Sequence, residues 1–255
     1  MILGIDVGST HTDAVLVESS EIVGKAKTAT DRHDIILSLR EVARDLLGRM
    51  RPRHLRRIVL STTLSTNAIV EKKIPEVGMI LISGPGLAPS HLSINDNSHF
   101  ISGYVDHRGM EAAPLDLRQV TQIRNILAEK GISFAGVAGK FSTRNPDQEL
   151  LVKEQLSGLR HVSLGHRMSG LLNFPRRIST TYLNAAVWEI HYRFADQART
   201  FFNELNLTAP LYILKADGGT FSIESSVDLP AQTILSGPAA SIMGIMAATR
   251  EDKNA

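Results

Sequence analysis

The sequence predicts an α/β protein with a mixed sheet, and three features of the chain support this class. Two β-branched runs joined by a tight polar turn open the chain and predict an antiparallel hairpin. From residue 57 to residue 164, short apolar runs alternate with helical segments, which is typical of a parallel sheet. A long amphipathic helix follows in the last third of the chain.

Composition excludes several classes of protein. The chain has 255 residues, enough for one large or two medium domains, and its formal net charge of +2 gives no argument for nucleic-acid binding. It contains no cysteine, which removes disulfides, thiolate nucleophiles and cysteine-based metal sites. No apolar run reaches the ~18 residues that span a bilayer. We therefore expect neither a signal sequence nor a membrane segment, and a cytoplasmic location.

The opening hairpin carries the first candidate site. Gly8 begins its turn and tolerates backbone angles that other residues avoid. The hydroxyl groups of Ser9, Thr10 and Thr12, with the N–H groups of the turn, suit a phosphate. Asp6 ends the first strand, where a carboxylate is placed to hold Mg²⁺ directly or through water, because this cation prefers oxygen ligands. An ordinary hairpin with a Gly-Ser turn is the alternative, and spacing alone leaves both open.

A second polar segment follows the next buried strand. We expect a third antiparallel strand from Glu21 to Thr28, a helix capped by Asp31 and running to Met50, and a strand over residues 57–60. That strand leads into Ser61–Ala68, where five hydroxyl groups and an amide fall within seven residues at the start of a helix that ends near Lys73. The segment indicates a donor-rich site, and helix capping explains part of it.

The middle of the chain predicts a parallel α/β layer. Strands are expected over 77–83, 100–105, 134–138 and 161–164, and helices over 115–130 and 147–156. His91, Asp96 and His99 lie in the loop after the first of these strands. Their spacing allows a metal site, but we favour a plain loop because there is no compact repeat of ligands and no rigid element to hold them.

Two further small-residue turns lie in the last third. A helix capped by Ser179-Thr180-Thr181 is expected to run to Leu205, followed by a strand over Leu211–Leu214. That strand ends in the turn Asp217-Gly218-Gly219-Thr220. The turn Ser236-Gly237-Pro238-Ala239 then opens an apolar helix that is expected to reach almost to the C-terminus.

The order of these motifs resembles one family, the hydantoinase A and oxoprolinase family of the actin, sugar-kinase and Hsp70 superfamily. Gly4–Asp13 resembles its first phosphate loop, with Ser9 and His11 where the family usually has a glycine and an aromatic residue. The later matches, in order, are Thr62–Ala68 with Thr-Thr-x-x-Thr-Asn-Ala, Arg144-Asn145-Pro146, Arg177–Ala185 with the family's helix lead-in, Asp217-Gly218-Gly219 with Asn-Gly-Gly, and Ser236–Ala239 with Ser-Gly-Pro-Ala. The resemblance covers nearly the whole chain.

The resemblance implies a fold and a cofactor site. It implies a ribonuclease H-like (actin-like ATPase) domain with a mixed sheet over residues 1–75, an α/β subdomain over 76–175, and a long helix with the incomplete start of a second lobe over 176–255. It also implies binding of ATP and Mg²⁺, with Asp6 as the metal ligand. The candidate cofactor-binding residues are Asp6, Gly8, Ser9, Thr10, Thr12, Asp13, Thr62, Thr63, Thr66, Asn67, Gly218, Gly219, Ser236 and Gly237.

The resemblance also implies an activity and leaves alternatives. An ATP-dependent, ring-opening hydrolase would activate a cyclic amide or carbonyl oxygen by phosphorylation, which demands positioned charge neutralisation. The alternatives are a non-catalytic nucleotide-binding or assembly protein of the same fold and, less favoured, a sugar kinase. Relatives continue into a second phosphate loop and an adenosine-binding segment that are not found before Ala255, so we expect an N-terminal part or a shortened member. We expect a small-molecule substrate and either a homo-oligomer or a partner subunit.

Overall fold

The computed structural model describes residues 1–31, 34–52 and 54–248. The strands are β1 (Ile2–Val7), β2 (His11–Glu18), β3 (Glu21–Ala29), β4 (Arg57–Thr62), β5 (Val77–Ile82), β6 (Ser98–Phe100), β7 (Tyr104–Val105), β8 (Glu111–Ala113), β9 (Phe134–Gly139), β10 (His161–Leu164), β11 (Leu211–Leu214) and β12 (Thr220–Ser222). The helices are α1 (Ile35–Met50), α2 (Leu64–Val70), α3 (Leu117–Glu129), α4 (Asp147–Gln155), α5 (Gly165–Met168), α6 (Phe174–Glu204), α7 (Ile223–Asp228) and α8 (Ser236–Ala248). Short 3₁₀ turns lie at Pro89–His91 and Pro230–Thr233.

The chain forms two compact units. The first unit contains Met1–Lys73 and the chain from Ile190 onwards, and the second contains Ile74–Glu189. Helix α6 belongs to the second unit up to Glu189 and to the first unit after it. The three regions predicted from the sequence follow chain order, whereas packing joins the last region to the first. As domain boundaries they stay a prediction, and residues 249–255 lie outside the described residues.

The first unit is built on a mixed sheet of six strands in the order β12-β11-β4-β1-β2-β3. Strands β1, β4 and β11 run parallel, while β1–β2, β2–β3 and β11–β12 pair antiparallel. Leu3, Ile5 and Val7 alternate along β1 and are buried in one core with residues of α1 and α6, since successive side chains of a strand point to opposite faces. Asp6 therefore lies on the other face of the sheet.

The second unit contains a parallel sheet of four strands in the order β10-β9-β5-β6. Every residue of β5 and β9 is buried, as expected for central strands of a parallel sheet covered on both faces. Val120, Ile123 and Leu127 of α3 pack on one core cluster, and Phe174 and Ile178 of α6 belong to the other. The parallel sheet of this unit and the mixed sheet of the first unit together confirm the predicted α/β class.

Most predicted elements are present, and four details differ. Helix α1 begins at Ile35, where the Asp34 carboxylate accepts from the N–H of Leu37, and Asp31 instead accepts from the N–H of Asp34. The expected strand over residues 100–105 is divided between β6 and β7. Ser179-Thr180-Thr181 does not cap the long helix, which begins at Phe174, because these hydroxyl groups donate to carbonyl oxygens one turn earlier. The helix ending near Lys73 ends at Val70.

A buried carboxylate and a buried guanidinium form hydrogen bonds with the backbone at the strand ends of the second unit. Glu149 is fully buried; one carboxylate oxygen accepts from the N–H of Gly139, and the other accepts from the backbone N–H of His166 and lies 2.7 Å from its Nδ1. The buried Arg177 guanidinium donates to the carbonyl oxygens of Gly139 and Lys140. Burial lowers the pKa of Arg177, and the charge of Glu149 opposes that shift.

None of the helices in the described part of the chain has the length and apolar character needed to cross a membrane.

His191 is a buried neutral histidine in the first unit. The Ser226 hydroxyl donates to the Ile223 carbonyl oxygen, so the 2.8 Å bond between Ser226 Oγ and His191 Nε2 has the imidazole as donor. Within the described residues, His191 Nδ1 is buried with no hydrogen-bond partner. Burial lowers the pKa of His191 from 6.5 to about 4.

This burial predicts an acid-sensitive fold. Between pH 6.5 and pH 4 the unfolded chain takes up a proton at His191 and the folded chain does not, so the free energy of unfolding falls with pH by about 3 kcal/mol in total. Urea unfolding at pH 7.0, 6.0, 5.0 and 4.5 measures this slope. We expect His191→Gln to flatten it and His107→Gln, a change in an exposed turn, to leave it unchanged. Equal slopes for wild type and His191→Gln would contradict the assignment.

Candidate functional site

Three turns meet at one edge of the six-stranded sheet. Because β1, β4 and β11 are parallel, the segments that follow them lie at the same edge. These segments are Gly8–Thr10 after β1, Thr63 and α2 after β4, and Lys215–Gly219 after β11. The Gly218 turn and the Gly8 turn thus belong to one sheet, with β4 between their strands, and do not face each other from two sheets.

The first turn closes on itself tightly. The N–H of Gly8 donates to the His11 carbonyl oxygen at 3.0 Å. Gly8 does not have a positive φ, so the turn does not use the backbone freedom that glycine offers. A glycine is needed at this position because a Cβ atom would lie 2.8 Å from the His11 carbonyl oxygen. The Ser9 and Thr10 side chains are exposed beside this turn, and Thr12 is buried with its hydroxyl 2.9 Å from that of Thr30.

Asp6 has a buried carboxylate oxygen without a partner. Its Oδ1 makes no hydrogen bond to any described residue, and the same is true of the Ser61 hydroxyl. Asp6 and Ser61 are in register on neighbouring parallel strands, about 4.8 Å apart, and their side chains share one face of the sheet. On the other side, Asp6 is in register with Asp13, whose carboxylate lies 3.2 Å from the Lys27 ammonium. The Lys27 ammonium beside this pair of strands is thus bound by Asp13.

The second turn packs directly on the first. The N–H of Thr63 donates to the Val7 carbonyl oxygen at 3.2 Å, and the N–H of Leu64 donates to the Thr62 hydroxyl at 3.2 Å. Within α2, the amide nitrogen of Asn67 donates to the Thr63 hydroxyl oxygen at 3.2 Å. Thr63 and Asn67 line a cavity of about 490 Å³ that also includes Gly8 and Ser9. Asp6 is not part of its lining.

The Ser-Gly-Pro segment joins this edge from the far end of the sequence. Ser65 Oγ lies 3.2 Å from Thr233 Oγ1, and the N–H of Leu235 donates to the Thr66 hydroxyl at 2.9 Å. Ser236 donates its hydroxyl to the Thr62 carbonyl oxygen at 3.3 Å, and a Cβ on Gly237 would be in ordinary contact with Thr63. The hydroxyl groups of Ser65 and Thr66 thus serve this contact.

The Asp217-Gly218-Gly219 turn satisfies its own donors. Asp217 accepts from the Lys215 ammonium at 2.9 Å and from the N–H of Gly219 at 2.8 Å, and these hydrogen bonds lower the pKa of its carboxyl, with Lys215 the larger cause. Gly218 has φ +81°, which favours glycine, and a Cβ there would lie 3.2 Å from the Met243 side chain. A carboxylate already occupies the donors that a phosphate would need.

Family models match most of the chain. The model of the hydantoinase/oxoprolinase N-terminal region matches residues 2–159, and the hydantoinase/oxoprolinase model matches residues 177–255.

The chain belongs to the hydantoinase/oxoprolinase family.

Two relatives match most of the chain. The chain is 25% identical to caprolactamase subunit alpha of Pseudomonas jessenii over 93% of its own length and 38% of that protein. It is 22% identical to an uncharacterized protein of Methanocaldococcus jannaschii over 95% of its length and 39% of that protein.

Two solved structures share the fold. The nucleotide-free structure of acetone carboxylase matches with a TM-score of 0.83 at 21% identity, covering 97% of this chain and 40% of that one. The ATP-dependent caprolactamase of Pseudomonas jessenii matches with a TM-score of 0.75 at 22% identity, covering 99% of this chain and 41% of that one. The chain thus spans about two-fifths of the length of these relatives.

Most of the residues at this edge of the sheet were identified from the sequence, but several others were not. Ser61 was recognised only as part of a polar run, since its alignment with Asp6 depends on strand register. Ile35, Glu71, Lys73 and Ile190 line the cavity and gave no sequence signal. His11 is exposed, with its Nδ1 3.2 Å from the Thr10 hydroxyl.

The hydrogen bond between Ser65 of α2 and Thr233 predicts that substitutions of its two residues lower the free energy of unfolding by different amounts. Thr233 is fully buried and donates to the Pro230 carbonyl oxygen, so Ser65 is the donor in the Ser65–Thr233 bond. We expect Ser65→Ala to lower the free energy of unfolding by about 1 kcal/mol. We expect Thr233→Val to lower it by about 2 kcal/mol, because it leaves two buried polar groups without partners.

Urea unfolding measures both values, and Thr121→Val on the exposed side of α3 is the control, with a change under about 0.5 kcal/mol. A loss for Thr233→Val no greater than that for the control would show that the contact does not form.

Proposed function

We propose that this chain is the nucleotide-binding part of an ATP-dependent hydrolase-type enzyme of the hydantoinase/oxoprolinase family. Its edge at Gly8 and Thr63 would hold the phosphates of ATP with Mg²⁺ beside Asp6. The bound nucleotide would supply the phosphoryl group that activates the oxygen of a cyclic amide or related carbonyl compound.

The observation that carries the proposal is the buried Oδ1 atom of the Asp6 carboxylate. Asp6 Oδ1 and Ser61 Oγ are buried neighbours without hydrogen-bond partners among the described residues. Leaving a buried carboxylate oxygen unpaired costs free energy unless a cation or donor completes its surroundings. Two oxygen groups of this kind suit a hydrated Mg²⁺, which proteins usually bind through one or two carboxylates together with phosphate oxygens and water. The phosphate oxygens of a bound nucleotide, together with water, would complete the shell.

The remaining residues of the edge would position the phosphates. Ser9 and Thr10 present exposed hydroxyl groups at the turn beside Asp6. The tight closure of Gly8 on His11 fixes the direction of this turn, so its donors are placed before the ligand arrives. Fixed donors that need no reorganisation are what charge stabilisation in phosphoryl transfer requires.

The relatives support this assignment. The caprolactamase and acetone carboxylase structures that share the fold are described as ATP-dependent. The caprolactamase relative is named as a subunit, which supports a partner subunit for this chain. Since the chain spans about two-fifths of these relatives, the adenosine side of the site would come from a further polypeptide segment.

A second candidate is a non-catalytic nucleotide-binding or assembly protein of the same fold. The observation that favours it is the Asp217 turn, whose donors are satisfied internally, so that the described residues present one phosphate-facing turn. Release of phosphate from Mg-ATP that rises when ε-caprolactam is added would support the hydrolase and exclude the binding protein, which would release none above the level without the lactam.

Titration calorimetry with Mg-AMP-PNP tests the proposal. We expect Asp6→Asn to weaken binding at least about tenfold, since the variant keeps the shape of the side chain and loses its charge. Asp45→Asn is the matched control, because Asp45 is an exposed aspartate in the same unit paired with Arg49. Omitting Mg²⁺ should bring wild type close to Asp6→Asn. Equal affinities of wild type and Asp6→Asn in the presence of Mg²⁺ would contradict the role of Asp6.

A further inference from the structure

A buried carboxylate and a partly buried imidazole form a pair in the second unit. Glu149 of α4 is fully buried, and one oxygen of its carboxylate lies 2.7 Å from Nδ1 of His166 in α5. The same oxygen accepts from the backbone N–H of His166, and the other oxygen accepts from the N–H of Gly139. The carboxylate therefore holds His166 both by its ring and by its backbone.

The backbone leaves room for this carboxylate. A Cβ atom on Gly165, the residue before His166, would lie 2.9 Å from the Glu149 carboxylate and 3.1 Å from the backbone of Ala138. A larger residue at this position would push the carboxylate away from its partners. The glycine thus permits a close approach of α5 to β9 with the carboxylate between them.

The charge of Glu149 decides which nitrogen of the imidazole carries the proton. The buried Arg177 guanidinium interacts electrostatically with Glu149 and balances its charge. An ionised carboxylate has only acceptors, so the ring nitrogen that faces it is the donor. His166 Nδ1 is therefore protonated, and Nε2 keeps its lone pair.

The second nitrogen of the ring faces solvent. Nε2 forms no hydrogen bond with a described residue, and the His166 side chain is 19% exposed. His166 comes just after β10, which lies at one side of the four-stranded sheet. Ligands of open α/β sheets bind outside the carboxyl ends of the strands. The Nε2 lone pair lies at such an end, where a small molecule can reach it.

An imidazole with these partners has the chemistry of a nucleophile. The carboxylate fixes the tautomer and orientation of the ring, and it stabilises the positive charge that the ring gains when Nε2 forms a bond. The N–H groups of Gly139 and His166 would satisfy the buried carboxylate and join the strand ends without any ring. Closure of the fold therefore does not account for the contact with the imidazole.

The surrounding charges favour a neutral reaction partner. The negative charge of Glu149 lies behind the ring and would oppose an anionic phosphoryl group. The terminal nitrogens of Arg177 are directed instead at carbonyl oxygens, those of Gly139, Lys140 and Leu171. Attack of a neutral imidazole on a neutral acyl compound gives a cationic N-acyl imidazole, which the carboxylate would stabilise.

We infer that His166 is a nucleophile of the second unit that accepts the acyl group of a small activated acyl compound. Nε2 bonds to the acyl carbon, the bond from that carbon to the leaving oxygen breaks, and its electron pair goes to that oxygen. The Nδ1 proton stays on the ring beside Glu149. Water then attacks the acyl carbon, which releases the carboxylic acid and a proton and restores the neutral imidazole. The inference does not depend on the proposed function, because every residue that it uses belongs to the second unit.

Carbethoxylation of the full chain by diethyl pyrocarbonate, followed for each histidine by peptide mass spectrometry, tests the reactivity of Nε2. His91, an exposed histidine of the same unit, is the reference. Rates in urea, where both side chains are freely accessible, correct for differences between the peptides. In the folded chain we expect His166 to react at least about threefold faster than His91, although its side chain is the less exposed one.

The substitution Glu149→Gln separates activation of the ring from access to it. We expect it to slow carbethoxylation of His166 at least about fivefold and to leave His91 unchanged, because the charge that stabilises the imidazolium is lost. If Glu149 served the fold alone, the substitution would loosen α5 and speed the reaction at His166. Thermal unfolding shows whether the variant is folded, and the ratio of the two histidines in wild type decides if it is not.

Release of p-nitrophenolate from p-nitrophenyl acetate measures acyl transfer itself. We expect His166→Gln to lower the second-order rate of release by the folded chain at least about threefold. His91→Gln is the matched control and should keep the rate of wild type.

Three results would overturn the inference. These are carbethoxylation of His166 no faster than that of His91 in the folded wild-type chain, a faster reaction of His166 in folded Glu149→Gln, and equal ester cleavage by wild type and His166→Gln. None of these measurements uses Mg²⁺ or a nucleotide, so their outcome is separate from that of the proposed function.

Discussion

The in-register parallel pairing of β1 with β4 is the constraint on which the candidate site depends. It places Asp6 beside Ser61 and Val7 beside Thr62, and it lets the N–H of Thr63 bond to the Val7 carbonyl oxygen. A shift of the register by one residue would move Ser61 to the face that carries the core and separate it from Asp6. The burial of Ile58 and Leu60 with Leu3 and Ile5 opposes such a shift, so packing of the core also fixes the site.

The segment around Leu235 holds the second turn in place at a cost in backbone strain. Leu235 has φ +66°, a conformation that costs a bulky residue of the order of 1–3 kcal/mol. Its N–H is bound by the Thr66 hydroxyl, and Ser236 on its other side donates to the Thr62 carbonyl oxygen. These bonds offset the strain and join the segment at the start of α8 to α2 and to the end of β4. The geometry around the cavity is therefore set from both ends of the chain.

The sequence predicted local structure well where apolar runs have clear limits. β10 and β11 have the predicted bounds because turn residues flank both runs. The predicted start of α6 was wrong because Ser179-Thr180-Thr181 has the composition of a helix cap. The helix begins earlier, at Phe174, with Pro175 in its first turn. Asp6 and the glycine turn were recognisable from their pattern. The Ser61 neighbour, the use of Thr66 and the cavity were not, since they depend on register and on contacts such as Ser65 with Thr233, 168 residues apart.

The proposed site for the phosphates of a magnesium nucleotide is the edge formed by the β1 and β4 turns. Amide chemical shifts of the isotope-labelled chain, followed by NMR during titration with Mg-AMP-PNP, test it most directly. We expect the largest shifts to occur together in residues 8–12 and 61–67, with the same dissociation constant for both segments, while the amides of Lys215–Gly219 change little. Saturable shifts centred on the Asp217 turn, or confined to the second unit, would contradict it.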